Sequence, residues 1–211
     1  MSHAEGSLNI IIGCMFSGKT SELIAVDKKW SAIGKTVLSI NYAKDVRYGN
    51  DSNMYSHSLD KTKCIMVMRL EDVPENLIRT ANIILINEAQ FFKDLVFYCK
   101  YWCDDLKKHI TVSGLDGDFE RKPFGHILEL IPLSNSVIKL NAYCVMCDNC
   151  DNLPRDAIFT HRLTQEKEQE IIGNKNYVAL CRYHYLKENA WDLLYSNTSL
   201  EIEQCFRFMM F

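Results

Sequence analysis

Eight residues near the start, Gly13-Cys14-Met15-Phe16-Ser17-Gly18-Lys19-Thr20, set two glycines, a lysine and a hydroxyl at the spacing G-x-x-x-x-G-K-[ST]. That pattern suits a polyphosphate. The glycines let the backbone wrap an anion, amide N–H groups and the N-terminus of a following helix point at its oxygens, and Lys19 adds positive charge. Thr20 is spaced to put its hydroxyl on a Mg2+ ion carried with the phosphates. A glycine-bounded turn with an incidental lysine is the competing reading, and the apolar run before the loop and the helical pattern after it count against that reading. The loop implies a nucleoside triphosphate without naming a reaction, because GTPases, ATPases, helicases and kinases share it.

A second group of chemical interest is Asn87-Glu88, a polar pair that ends the apolar run Ile83 to Ile86. The carboxyl end of a buried strand is where α/β sheets bind ligands. An aspartate commonly supports the metal there, but this chain has the uncharged Asn87. Glu88 is then the nearest carboxylate, able either to take a proton from an attacking hydroxyl or simply to cap the next helix.

The third group is a pair of knuckles, Cys144-Val145-Met146-Cys147 and Cys181-Arg182-Tyr183-His184, separated by 33 residues. Each places two zinc ligands on one turn, and the two together complete a closed, structural tetrahedral site. Cys150 lies close enough in sequence to compete for the fourth position.

These groups need a scaffold to hold them. Leu8 to Ile12, Lys35 to Ile40, Asn82 to Asn87, Ile110 to Val112 and Val137 to Leu140 read as strands, several of them apolar throughout as in a parallel sheet buried on both faces. Ser17 to Ile33, Glu71 to Arg79 and Phe92 to Lys107 read as helices. Strands alternating with helices predict an α/β fold, a mostly parallel sheet of the P-loop (RecA-like) kind flanked by helices. After Asn141 cysteines cluster around a polar segment. The expected division is therefore an ATP-binding domain over 1–141, a small C-terminal zinc ribbon over 142–190, and an extension over 191–211 with no assigned role.

Bulk properties narrow the classes. Net charge is −3, whereas proteins that bind nucleic-acid polymers usually carry a basic surplus. No apolar run approaches the roughly 18 residues of a membrane span. The polar start from Met1 to Ser7 lacks a signal-peptide pattern, and the 9 cysteines read as reduced thiols or metal ligands, so cytoplasm is the expected compartment. His57, His109, His126 and His161 have no partner at metal or catalytic spacing.

Four stretches together resemble the type II, zinc-containing thymidine kinases. The phosphate loop is similar to theirs. Asn41-Tyr42-Ala43-Lys44-Asp45-Val46-Arg47-Tyr48 resembles their K-Y-A-K-D-x-R-Y, and Asn87-Glu88-Ala89-Gln90-Phe91-Phe92 resembles their D-E-[AG]-Q-F-F. The stretch Gly114 to Gly125 (GLDGDFERKPFG) resembles their lid segment.

The resemblance implies transfer of the ATP γ-phosphate to the 5′-hydroxyl of thymidine, with Glu88 as general base and deoxyuridine as a further substrate. It implies that Gly13 to Thr20, with Asp45, Arg47, Asn87 and Gln90, hold ATP and Mg2+. Phe91 and Phe119 would line the base pocket. Phe159 to Arg162, with Gln169, Glu170, Ile171, Ile172, Gly173 and Tyr177, would belong to a loop closing over the nucleoside. Arg47, Arg121 or Lys122 would stabilise the developing charge. A homotetramer and feedback inhibition by thymidine triphosphate are implied as well. Two departures stand out. Asn87 replaces an aspartate, which predicts lowered rather than abolished activity, and Glu120 replaces a glutamine in the lid. The rival reading is a zinc-ribbon NTPase or nucleic-acid-binding protein without nucleoside kinase activity.

Overall fold

The structure, a computed structural model, describes residues 5–45, 53–55, 61–147, 155–164 and 176–195. Its centre is a six-stranded, wholly parallel sheet. In chain order the strands are β1 (Ser7–Gly13), β2 (Val37–Tyr42), the short hairpin β3 (Asn53–Tyr55) and β4 (Lys61–Lys63), β5 (Ile65–Val67), β6 (Ile83–Ile86), β7 (His109–Gly114) and β8 (Ser136–Leu140). The sheet order is β5-β2-β6-β7-β1-β8, with β3 and β4 paired separately.

The apolar runs become the inner strands because both faces are covered. Along β6, Ile84 and Ile86 enter the larger core with Ile10, Phe92 and Trp102, while Ile83 and Leu85 enter the opposite core with Ile11, Leu23 and Ile24. The period of two thus divides one apolar tetrapeptide between two layers. At the edge, β8 leaves Val137 and Ile138 exposed.

Helix α1 (Lys19–Ala32) follows the phosphate loop directly. It starts two residues later than the pattern from Ser17 predicts, because Ser17 and Gly18 are used by the loop. The helix expected over 71–79 is broken: a 3-10 turn at Leu70–Asp72 precedes α2 (Glu75–Thr80). Pro74 is the cause, since it lacks an N–H and forces Val73 into extended backbone. The helix expected over 92–107 is shorter as well. α3 covers Leu95–Lys100 and widens into a π turn at Tyr101–Asp105, where Leu106 N–H reaches the Tyr101 carbonyl.

Beyond β8 the chain forms two small antiparallel pairs, β9 (Ala142–Tyr143) with β10 (Asp156–Ala157) and β11 (Phe159–Arg162) with β12 (Tyr177–Leu180). Helix α4 (Arg182–Tyr195) follows. This part has its own apolar cluster, built on Ala157, Leu180, Tyr185 and the cysteines, and Cys14 of the phosphate loop belongs to it. No helix among the described residues is long and apolar enough to cross a membrane.

Candidate active site and metal centre

The phosphate loop sits where β1 ends beside β8. Gly13 has φ 149°, and a Cβ there would lie 2.2 Å from the Leu140 carbonyl oxygen, so only glycine allows the two strands this approach. Ser17 Oγ donates to the Cys14 carbonyl at 2.8 Å, and Lys19 Nζ donates to the same oxygen at 2.6 Å. The loop is also fastened to the smaller unit. Met15 N–H donates to Thr160 Oγ1 at 3.0 Å, and the Cys14 thiol donates to the Ala157 carbonyl at 3.2 Å. Burial pushes the Cys14 thiol up, which keeps it a neutral donor.

Thr20 opens α1 and faces Asn87, the residue after β6. Thr20 Oγ1 lies 3.5 Å from Asn87 Oδ1, Asn87 Nδ2 donates to Asn41 Oδ1 at 3.0 Å, and Asn41 Nδ2 donates to Asp45 Oδ2 at 3.3 Å. A row of oxygens and amides, buried at Asn41 and Asn87, therefore joins the phosphate loop to the ends of β6 and β2. The Thr20 hydroxyl and the Asn87 carbonyl oxygen are hard oxygen donors suited to Mg2+ or to a water bound to it.

Glu88 adopts left-handed backbone, φ 51° and ψ 40°, before a 3-10 turn at Ala89–Phe91. Among the described residues the other non-glycine positive-φ positions are Phe16, Lys107 and Arg121. Three of the four fall in the phosphate loop, at the candidate base and in the lid segment. Such backbone costs about 1–3 kcal/mol per residue and persists where surrounding contacts enforce it. The Glu88 carbonyl accepts the Phe91 N–H at 3.1 Å, and the Glu88 side chain is held by Gln90, whose Nε2 donates to Oε2 at 2.7 Å.

The lid segment from Leu115 to Gly125 is organised by Asp118. Its buried carboxylate accepts the N–H groups of Glu120 and Lys122, each at 2.9 Å. At the far end Gly125 has φ 58°, and a Cβ there would lie 2.0 Å from the Gln90 carbonyl oxygen. The lid touches both halves of the site. Phe124 meets Phe91 edge to face with ring centres 5.4 Å apart, and Phe91 also stacks on Tyr42 at 4.9 Å. On the other side, the Arg162 guanidinium lies 3.7 Å from the centre of the Phe119 ring, and its Nη2 donates to the Tyr177 hydroxyl at 2.6 Å. Between the phosphate loop and β11 is a cavity of about 310 Å³ lined by Cys14, Asp116, Asp118, Arg121, Phe159 and Thr160.

Arg121 and Lys122 are two of the three cations considered for charge stabilisation, and Arg121 is among the residues that line this cavity. Arg121 lies over the rings of Tyr185 and Phe159, and Lys122 pairs with Glu120. Arg47, Gln169, Glu170, Ile171, Ile172 and Gly173 lie outside the described residues, as does Cys150.

The two knuckles come together. Cys181 precedes α4 and His184 lies on its first turn, while the turn from Cys144 to Cys147 is closed by Cys147 N–H donating to the Cys144 carbonyl at 3.2 Å. All four ligand side chains are buried, and their ligating atoms lie within 4.8 Å of one another. His184 Nδ1 lies 3.3, 3.6 and 3.4 Å from the sulfurs of Cys144, Cys147 and Cys181. The Cys147 and Cys181 sulfurs are 3.9 Å apart. Tetrahedral zinc geometry requires edges of about 3.8 Å between sulfurs and about 3.6 Å between sulfur and nitrogen. The donor set fits zinc. Burial opposes ionisation of Cys144, but hydrogen bonds from the Cys181 and Met146 backbone and from neighbouring thiols outweigh it and shift the thiol downward.

Thr160 and Arg162 belong to the stretch Phe159 to Arg162 expected in the covering loop, whereas Tyr185, which also matters to this geometry, was not singled out from the sequence. Arg162 is 6% exposed in β11, in register with Tyr177 across the hairpin. Tyr185, beside the metal ligand His184, donates its hydroxyl to the Phe119 carbonyl at 2.5 Å. Nothing local in the sequence marks the burial of Arg162 or the docking role of Tyr185.

Comparison with known proteins agrees with the geometry. A family model described as thymidine kinase matches residues 6–185. The chain is 41% identical over 190 residues to a thymidine kinase of Yaba monkey tumor virus, covering 90% of this chain and 99% of that protein. It is 39% identical over 188 residues to the human protein named thymidine kinase, cytosolic, covering 89% of this chain and 76% of that one. A vaccinia virus (strain Western Reserve) thymidine kinase is 39% identical over 182 residues, covering 86% of this chain and 97% of its own length. A phosphate loop, a carboxylate held at the end of β6 and a buried Cys3His cluster thus occur in a chain that belongs to the thymidine kinase family.

Proposed function

We propose that this chain transfers the γ-phosphate of ATP to the 5′-hydroxyl of thymidine, with deoxyuridine as a second substrate, in cytoplasmic nucleotide salvage. The observation that carries the reading is the contact of Asn87 with Thr20, which sets the Glu88 turn against the phosphate loop. Backbone amides of Gly13 to Thr20 and the Lys19 ammonium bind and orient the triphosphate. When bound, Mg2+ would neutralise phosphate charge, with Thr20 and Asn87 as the oxygen donors beside it. Glu88 takes the proton of the 5′-hydroxyl as that oxygen attacks phosphorus in line, and ADP leaves.

Phe91 and Phe119 contribute the apolar walls of the base pocket, with Tyr177 near the sugar. The segment 169–173 closes over the base, and Asp45, Arg47 and Gln90 complete the nucleotide side. In this reading residues 1–141 form the ATP-binding domain and 142–190 a zinc ribbon that fixes the ends of the closing loop. Zinc there is structural. A homotetramer and feedback inhibition by thymidine triphosphate belong to the same reading.

Incubation with ATP labelled at the γ-phosphate and unlabelled thymidine tests the proposal. Labelled thymidine 5′-monophosphate, formed in step with ADP, is the expected product. Labelled inorganic phosphate formed equally with and without thymidine would show an NTPase instead.

A further inference from the structure

Asn41 and Asn87 are 2% and 3% exposed, and each is a buried amide beside the phosphate loop. Their hydrogen bonds run in one direction, fixed at one end. The carboxylate of Asp45 accepts and cannot donate, so Asn41 turns its Nδ2 toward it, at 3.3 Å from Oδ2. Asn41 Oδ1 must then face Asn87, which presents Nδ2 at 3.0 Å. Asn87 Oδ1 is thereby directed at Thr20.

We propose that Asn41 is a positioning residue that locks the Asn87 amide with its carbonyl oxygen toward the metal and phosphate end of the site, the two asparagines acting as one neutral unit. This rests on the reading of Thr20 and Asn87 as the magnesium side of an ATP site. The two positions also depart together from the motifs quoted above, which have lysine where Asn41 stands and aspartate where Asn87 stands. An opposite-charge pair and an amide pair are two self-consistent ways to fill the same buried contact.

A mixed pair is not consistent. With Asn87→Asp alone, a carboxylate that only accepts would face Asn41 Oδ1, another acceptor. Rotating the Asn41 amide relieves that clash and sets its oxygen against Asp45 instead. Whichever way the amide turns, one buried acceptor is left opposed by another.

The test is a cycle of wild type, N87D, N41K and N41K/N87D, read by thermal unfolding without nucleotide and by the Mg2+ dependence of ATP binding. N87D and N41K are each expected to lower the unfolding midpoint by about 2–4 °C or more, and the double variant to recover to within about 1 °C of wild type. Asn41→Ala, which leaves no new buried charge, is the second arm. It is expected to weaken the Mg2+ enhancement of ATP affinity by about threefold or more, relative to ATP affinity in chelator. Additive melting shifts, or an N87D variant as stable as wild type with tighter Mg2+ dependence, would overturn the pairing. An Asn41→Ala variant with undiminished Mg2+ enhancement would overturn the positioning role. The melting cycle needs no turnover, so failure of the proposed reaction would show separately, as absent thymidine-dependent ADP release by wild type.

Discussion

Gln90 Nε2 donates to Glu88 Oε2 at 2.7 Å, and the Oε1 atom of the same amide accepts the Leu115 N–H at 3.0 Å. One side chain therefore fixes the direction of the candidate base and the root of the lid segment. Gln90→Glu keeps the shape and sets a second carboxylate against Glu88. A like charge at this distance disfavours ionisation, so Glu88 would stay protonated to a higher pH. The acidic limb of the kcat–pH profile is expected to move upward in this variant. A limb that stays in place would show that Glu88 is not the base or that Gln90 does not contact it in the working enzyme.

Glu88 itself occupies left-handed backbone, and its carboxylate is the proposed proton acceptor. Glu88→Gln keeps side-chain size and backbone preference while removing basicity. A loss of about 10²–10⁴-fold in kcat is expected, with thymidine and ATP still binding. Single-turnover phosphoryl transfer and equilibrium nucleoside binding, measured side by side, separate these outcomes.

The docking of the lid on the small unit gives a third expectation. Tyr185 is 4% exposed, donates its hydroxyl to the Phe119 carbonyl, and receives the Arg121 guanidinium 4.9 Å from its ring centre. Tyr185→Phe removes the hydroxyl with its hydrogen bond to Phe119 and leaves the ring. The loss of about 0.5–1.5 kcal/mol corresponds to a thymidine KM raised about 2–12-fold. The KM for ATP should change less, and bound zinc should be retained. Steady-state kinetics with a zinc determination on the same samples checks this.

Metal removal is the fourth. The Cys3His donors are spaced for tetrahedral zinc, and the three cysteines lie in the same apolar cluster as Cys14 of the phosphate loop. Cys181→Ser is expected to abolish stoichiometric zinc and to lower the unfolding midpoint, because metal binding to such a set contributes directly to folding. It should also weaken thymidine binding, since Tyr185 and Phe159 are supported from this cluster. Zinc analysis and calorimetric unfolding of the variant are the checks. Full retention of fold and thymidine affinity without metal would contradict a structural zinc.

How much of this was legible in the sequence depends on how local the cause is. The largely apolar run at 8–12 and the apolar run at 83–86 announced inner strands because being covered on both faces leaves little room for polar side chains. The phosphate loop and the two knuckles were legible because their spacing is itself the geometry. The hairpin of Asn53–Tyr55 with Lys61–Lys63, and the edge strand Ile65–Val67, were not. Three residues give too short a sample of any period. The break at Pro74 was masked by helical spacing on both sides of it, and the π turn after Lys100 keeps the apolar positions of a helix while changing its pitch.

Within the site the residue types were readable, and their orientations were not. Asn87 was visible as an uncharged residue at a position expected to be charged, but its bond to Asn41 spans 46 positions and depends on β2 lying beside β6. Arg162 looks like a surface cation in sequence. Only the fold shows that Phe119 and Tyr177 surround it.

The most direct test of the central claim is ADP release from Mg-ATP by zinc-replete protein, measured with and without thymidine. Release that rises strongly on adding thymidine, with thymidine monophosphate formed in equal amount, is the predicted result. Release that is absent, or indifferent to thymidine, from protein that binds both ATP and thymidine would contradict it.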